Sequence, residues 1–189
     1  MVPPFAWAER LPTLETERLR LRWLTAEDAP AVFGVFGDAR VIRWWSSPRM
    51  EEVSEAHALI EDIHDLFAAR ELFQWGLAEA TTDRVVGTCT LCHLVDGQRR
   101  GEVGIALGAD HWGRGLAREA LARLADFAFD ELGLSRLEAD VDPRNERSLA
   151  LFEGLGFQRE GLLRERWHLQ GEVQDSVLLG LLARERPRG

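Results

Sequence analysis

The order of hydrophobic patterns along the chain predicts an α/β protein: a mixed, mostly antiparallel sheet with helices on both faces. Two observations carry this. Strand-like segments come first in hairpin succession, and strand–helix–strand–helix–strand units follow them. The length of 189 residues suggests one domain, about 14–182, with ample material for a core. Composition agrees, since 46% hydrophobic with 29% charged residues is a globular balance.

Residues 1–13 contain Pro3, Pro4 and Pro12 and read as an irregular lead-in. Leu19, Leu21 and Trp23 alternate with Arg18, Arg20 and Arg22, the period of a strand with one buried face. Thr25 is placed to cap a helix from Ala26 to Phe36, with Asp28 at the capping-box position. Ser47-Pro48 opens a second helix, because proline suits the first helical position. Val53, Ala56, Ile60, Ile63 and Phe67 form its apolar stripe. Residues 72–80 and 84–95 form a hairpin turning at Thr82-Asp83, and Gly101–Leu107 is a short third strand. Leu116, Ala120, Leu124, Phe127, Ala128 and Leu132 recur at helical spacing, and Gly133 stops that helix. Leu137–Val141 is a strand. Asp142-Pro143 then turns the chain into a helix from Glu146 to Leu155, closed by Gly156. Strands 157–169 and 173–182 meet at Gln170-Gly171, and residues 183–189 are a polar tail.

Composition also excludes chemistry. All 23 basic residues are arginine, so there is no Schiff-base lysine, pyridoxal phosphate anchor or phosphate-loop lysine. The absence of tyrosine removes a phenolic general acid. A net charge of −9 argues against general nucleic-acid binding. It would suit a cationic acceptor, or serve solubility alone. No apolar run approaches the ~20 residues that span a bilayer. Met1 to Arg10 lack the order of a signal peptide, so a cytoplasmic location, no membrane partner and reduced cysteines are expected.

The segment Leu107 to Ala117 joins a strand to the start of the long helix. Gly113 and Gly115 permit close backbone approach and positive φ, the helix start offers unpaired N–H groups, and Arg114 adds charge. These make a pyrophosphate cradle; the plain alternative is a connection that needs glycine. The spacing is not that of a dinucleotide fold.

Cys89-Thr90-Leu91-Cys92-His93 has the c-type haem spacing, but it lies in an apolar strand-like run that sends Cys89 and Cys92 to opposite faces. Neither haem nor metal is expected, and zinc lacks a second cysteine pair. His57 and His64, with Glu61 between them, read as the flank of an apolar stripe.

Trp112-Gly113-Arg114-Gly115-Leu116-Ala117 resembles the acyl-CoA loop of the GNAT N-acetyltransferase superfamily, with Trp112 replacing the usual first residue as in its RimJ/RimL-like branch. Glu15 to Arg22 resembles the opening strand of that branch. Asn145-Glu146-Arg147-Ser148 and Gly154-Leu155-Gly156-Phe157 resemble its Asn-x-x-Ser and Lys-x-Gly-Phe region, with Gly154 for Lys. The resemblance implies two central strands splayed to bind acetyl-CoA. Ile105, Ala106 and Leu107 would line the pantetheine arm, Trp112 to Ala117 the pyrophosphate, and Asn145 the arm again. Glu102 matches a catalytic Glu that would take the amine proton, or it is a solvated strand residue. The usual tyrosine position falls on Phe152, leaving Ser148 to assist the thiolate, or only to cap its helix. Trp44 and Trp45 would border the acceptor, a peptide N-terminus or a small amine, or pack under their loop. A homodimer is common in such proteins. The implied reaction is direct acetyl transfer to a primary amine; the alternatives are a non-catalytic acetyl-CoA sensor and an assembly protein using exposed tryptophans.

Overall fold

The computed structural model describes residues 9–45, 47–95, 97–169 and 171–187. Residues 1–8 of the lead-in, Gln170 of the last turn and residues 188–189 of the tail lie outside them. The strands are β1 Leu14–Glu15, β2 Leu19–Arg22, β3 Leu72–Glu79, β4 Val85–Val95, β5 Arg100–Leu107, β6 Arg136–Val141, β7 Gln158–Leu169 and β8 Glu172–Leu182. The helices are α1 Ala29–Phe36, α2 Ala39–Ile42, α3 Val53–Ala68, α4 Leu116–Asp126 and α5 Glu146–Gly154. None of the helices among the described residues is long and apolar enough to cross a membrane.

The strands form one sheet in the order β1-β2-β3-β4-β5-β6-β8-β7, antiparallel throughout except for β5 and β6. On one face α4 and α5 cover Leu21, Trp75, Leu91, Val103, Leu137 and Leu179. On the other, α1 and α3 cover Leu24, Ala78, Val85 and Ala106. Helices on both faces of a mixed sheet are what the order of patterns predicts.

Local chemistry explains where the helices start. The Thr25 box forms, with the Thr25 N–H donating to the Asp28 carboxylate at 2.8 Å, although the first turn is a 3-10 turn before α1. Ser47-Pro48 does not open a helix. α3 begins at Val53, where Glu55 accepts the Glu52 N–H at 3.0 Å and closes a capping box. The carboxylate satisfies orphan N–H groups, which proline only avoids having. Val53 is consequently in the first turn and 36% exposed, while Ala56, Ile60, Ile63 and Phe67 are buried. The short α2, absent from the sequence reading, is capped by Asp38 accepting the Arg40 N–H. The long helix passes into a π turn over Phe127–Glu131 before Gly133 ends it at φ +69°.

The central strands then part. β5 and β6 share three rows, Arg100 with Arg136, Gly101 with Leu137 and Glu102 with Glu138. Beyond these, β5 runs on to Leu107 paired to β4 alone, and β6 to Val141 paired to β8 alone. A gap opens between their C-terminal halves. Gly108 N–H donates to Val86 O at 2.9 Å, which sets the alternation of the β4–β5 ladder. Val103, Ile105 and Leu107 therefore turn their backbone N–H and C=O groups away from β4, towards the gap.

Candidate active site

Ile105 offers its backbone edge to the gap. Ala106 turns the other way, pairing with Thr88 and burying its methyl, so its backbone does not face the gap. The Leu107 carbonyl accepts the indole N–H of Trp112 at 2.7 Å, and the Arg147 guanidinium lies 5.4 Å over the Trp112 ring. The tryptophan thus closes the end of β5 and ties it to the first turn of α5.

The glycine loop follows. Gly113 and Gly115 have φ of +72° and +78°, the left-handed region that glycine enters without a Cβ penalty. Gly115 caps α4, and Leu116 is buried beneath it. No protein hydrogen bond uses the N–H groups of Gly113, Arg114 or Gly115 among the described residues. Ala117 lies in the first turn of α4, whose N–H groups have no intrahelical acceptor. Free N–H groups at a helix start beside a strand gap make a site for an anionic group.

Arg18, which the sequence pattern assigns to the outer side of a strand, buttresses this loop. Its Nη1 donates to the Arg114 carbonyl at 2.7 Å, its Nε to Glu119 at 2.7 Å, and its backbone N–H to Glu119 at 2.8 Å. Thr16 donates to the same carboxylate. Burial raises the Glu119 pKa, but Thr16 and Arg18 more than offset it and hold the carboxyl below its usual range. The Arg114 side chain is turned to His111, 3.2 Å away.

Glu102 stands on the last shared row, between Cys92 of β4 and Glu138 of β6. Its Oε2 lies 3.0 Å from His93 Nδ1, and its side chain is 28% exposed. Glu138 is clamped instead, by Arg100 at 2.9 Å and Arg136 at 2.8 Å. Burial and the Glu102 charge push the Cys92 thiol up to about 12. Cys89 is fully buried on the other face, as strand alternation requires.

Beyond Glu102 on the same face is Gly104, where a Cβ would lie 4.0 Å from the Trp45 ring. Trp45 itself packs edge-on against Phe36 at 5.7 Å. Trp44 lies between two guanidinium groups, Arg43 at 4.6 Å and Arg144 at 5.4 Å, and so links α2 to the β6–α5 turn. Asp140, missed from sequence, shares this face and is 10% exposed. It accepts the Ser176 hydroxyl and, at 3.2 Å, the Trp167 indole N–H. Alternation from Glu138 was the signal that could have found it.

At α5, the Asn145 Oδ1 accepts the Ser148 N–H at 3.2 Å, an N-cap. The Ser148 hydroxyl makes no hydrogen bond among the described residues. Phe152 is buried edge-on to Phe157 at 5.1 Å. His57 is exposed, whereas His64 stacks on Trp23 at 4.3 Å and meets Leu24 O at 3.0 Å, so the two do not form a metal face.

Residues 18–158 match the family model of the acetyltransferase (GNAT) domain. An uncharacterized N-acetyltransferase of Bacillus licheniformis, p20, is 38% identical over 173 residues, 92% of this chain and 97% of its own. Spermidine N(1)-acetyltransferase of Escherichia coli K12 is 28% identical over 159 residues, 84% of this chain and 83% of its own. The solved structure of Mycobacterium smegmatis RimJ in complex with CoA-disulfide superposes with a TM-score of 0.83 at 24% identity, covering 90% of this chain and 85% of that one.

Proposed function

The chain belongs to the GNAT acetyltransferase family and is an N-acetyltransferase that transfers acetyl to an amine; on that premise we propose that transfer runs by direct attack in the gap between β5 and β6. The observation that carries this reading is the parting of the strands after the Glu102–Glu138 row. Acetyl-CoA supplies an activated thioester carbonyl. The Ile105 N–H, turned to the gap, donates to an oxygen that gains charge during attack. The N–H groups of Gly113 to Ala117 and the α4 dipole hold the phosphates, and Trp112, Leu107 and Asn145 shape the channel between them.

An ammonium ion is not a nucleophile, so a base must hold its proton, directly or through water. Glu102 takes that role, being partly open and free of guanidinium partners among the described residues. Ser148 is a poor acid, so its free hydroxyl donates a hydrogen bond to the departing sulfur rather than giving up its proton. Trp44 and Trp45 border the acceptor, and an aromatic face attracts a protonated amine.

The acceptor is a primary amine, a peptide N-terminus or a small amine. A RimJ/RimL-like place within the family is supported by Trp112 and by the Asn145–Ser148 spacing; a polyamine is supported by the 28% identical spermidine acetyltransferase. Labelled acetyl-CoA with a panel of peptide N-termini and small amines, read by mass spectrometry, decides between them. Acetyl-CoA that stabilises the chain while no amine is modified would overturn the reading.

A further inference from the structure

We propose that Cys92, His93 and Glu102 form a binding site for one divalent transition-metal ion of the Zn²⁺ type. In a regular strand, neighbours such as Cys92 and His93 point to opposite faces. Here the β4–β5 register shifts between Cys92 and Val95, and His93 adopts φ +50°. Bulges of this kind re-aim a side chain. The His93 ring is brought back to the Cys92 side, against Glu102, which is the cross-strand neighbour of Cys92.

One Sγ, one imidazole nitrogen and one carboxylate oxygen consequently lie within 4.8 Å of one another. Zn–ligand bonds of about 2.0–2.3 Å require donor separations of roughly 3.3–3.8 Å around a tetrahedral ion. The His93–Glu102 separation of 3.0 Å is already close, and a rotamer shift of about 1 Å at Cys92 brings in the sulfur. The S, N, O donor set favours Zn²⁺ over Mg²⁺ or Ca²⁺. His93 is 68% exposed, which leaves an entry path, and three protein donors leave the fourth position open. The absence of a second cysteine pair, which counts against zinc in the sequence, is made good by a carboxylate from the next strand.

Binding follows from the donors alone; its consequence rests on the base role of Glu102, because a carboxylate bound to a metal cannot take the amine proton. The test is Co²⁺ titration of the metal-free full chain, read as thiolate-to-metal charge-transfer absorption. One equivalent is expected to bind. Cys92→Ser should abolish the band, and His93→Ala should weaken binding tenfold or more. No band in the unaltered chain, or one that survives Cys92→Ser, overturns the site. In parallel, Zn²⁺ should inhibit acetyl transfer over the same concentration range, and Cys92→Ser should retain basal transfer while needing at least tenfold more Zn²⁺. Metal bound with the rate unchanged would support the site and overturn the base role of Glu102 instead.

Discussion

Glu102 and Glu138 stand opposite one another on the last row that β5 and β6 share, yet they are held in opposite ways. Glu138 carries two arginine partners, Arg100 and Arg136. Glu102 carries one imidazole, His93. The two guanidinium groups occupy both Glu138 oxygens, while Glu102, the base proposed above, has no guanidinium partner among the described residues.

Glu102→Gln is therefore expected to lower kcat about a hundredfold or more, the usual worth of a general base. Glu138→Gln should leave kcat within a few-fold and cost about 1–3 kcal/mol of stability, since two arginines lose a partner. Steady-state kinetics and urea unfolding of both variants check this. A Glu102→Gln enzyme as fast as its parent removes the assignment.

Arg18 acts through the loop it supports and not on the reacting atoms. Arg18→Ala should raise KM for acetyl-CoA about tenfold with kcat little changed, the signature of lost ground-state binding. Arg18→Lys should not restore it, because an ammonium cannot span both Glu119 and the Arg114 carbonyl as a guanidinium does. Equal KM values in all three proteins would deny the loop this support.

Two glycines separate crowding from conformation. A Cβ on Gly87 would overlap the Ala106 carbonyl oxygen, which is backbone and cannot rotate away. Gly87→Ala should cost about 1–3 kcal/mol and lower Tm by several degrees. Gly113 has open space around it, and its φ of +72° alone penalises alanine, by about 1–2 kcal/mol. Thermal melts with and without acetyl-CoA tell them apart: only Gly113→Ala should blunt the stabilisation by acetyl-CoA.

Asp28 makes stability depend on acid. Burial raises its pKa, but Arg22, bound through both oxygens at 2.8 Å, and the Thr25 N–H pull it below the ordinary value. The unfolded carboxyl titrates near about 3.9, so the pair contributes fully above that value. Its contribution is lost as pH falls through the lower folded value. Asp28→Asn should cost about 1–3 kcal/mol near neutrality, with the difference shrinking in acid. Urea unfolding of both proteins across that range measures it, and a constant difference would refute the linkage.

Much of the fold could be read from short stretches. Leu19 and Leu21 are buried by alternation, the Thr25–Asp28 box forms, and Gly133 and Gly156 end their helices with positive φ. The start of α3 departs from the sequence expectation because Pro48 is a conspicuous helix signal, while the Glu52–Glu55 box that prevails is a pair of ordinary acidic residues. Asp140 has no local signature, because its partners, Ser176 and Trp167, are remote in sequence.

The segments, their periods and the glycine loop before α4 are written locally, since each depends on residues within a few positions. Which strands part, which carboxylate stays free of arginine, and whether His93 turns to meet Cys92 and Glu102 depend on register between distant strands. Arg100 meets Arg136 and Glu138 across 36 and 38 positions, through one parallel ladder and a side-chain bond. Pairing energies of that kind belong to the assembled sheet, and local patterning carries no record of them.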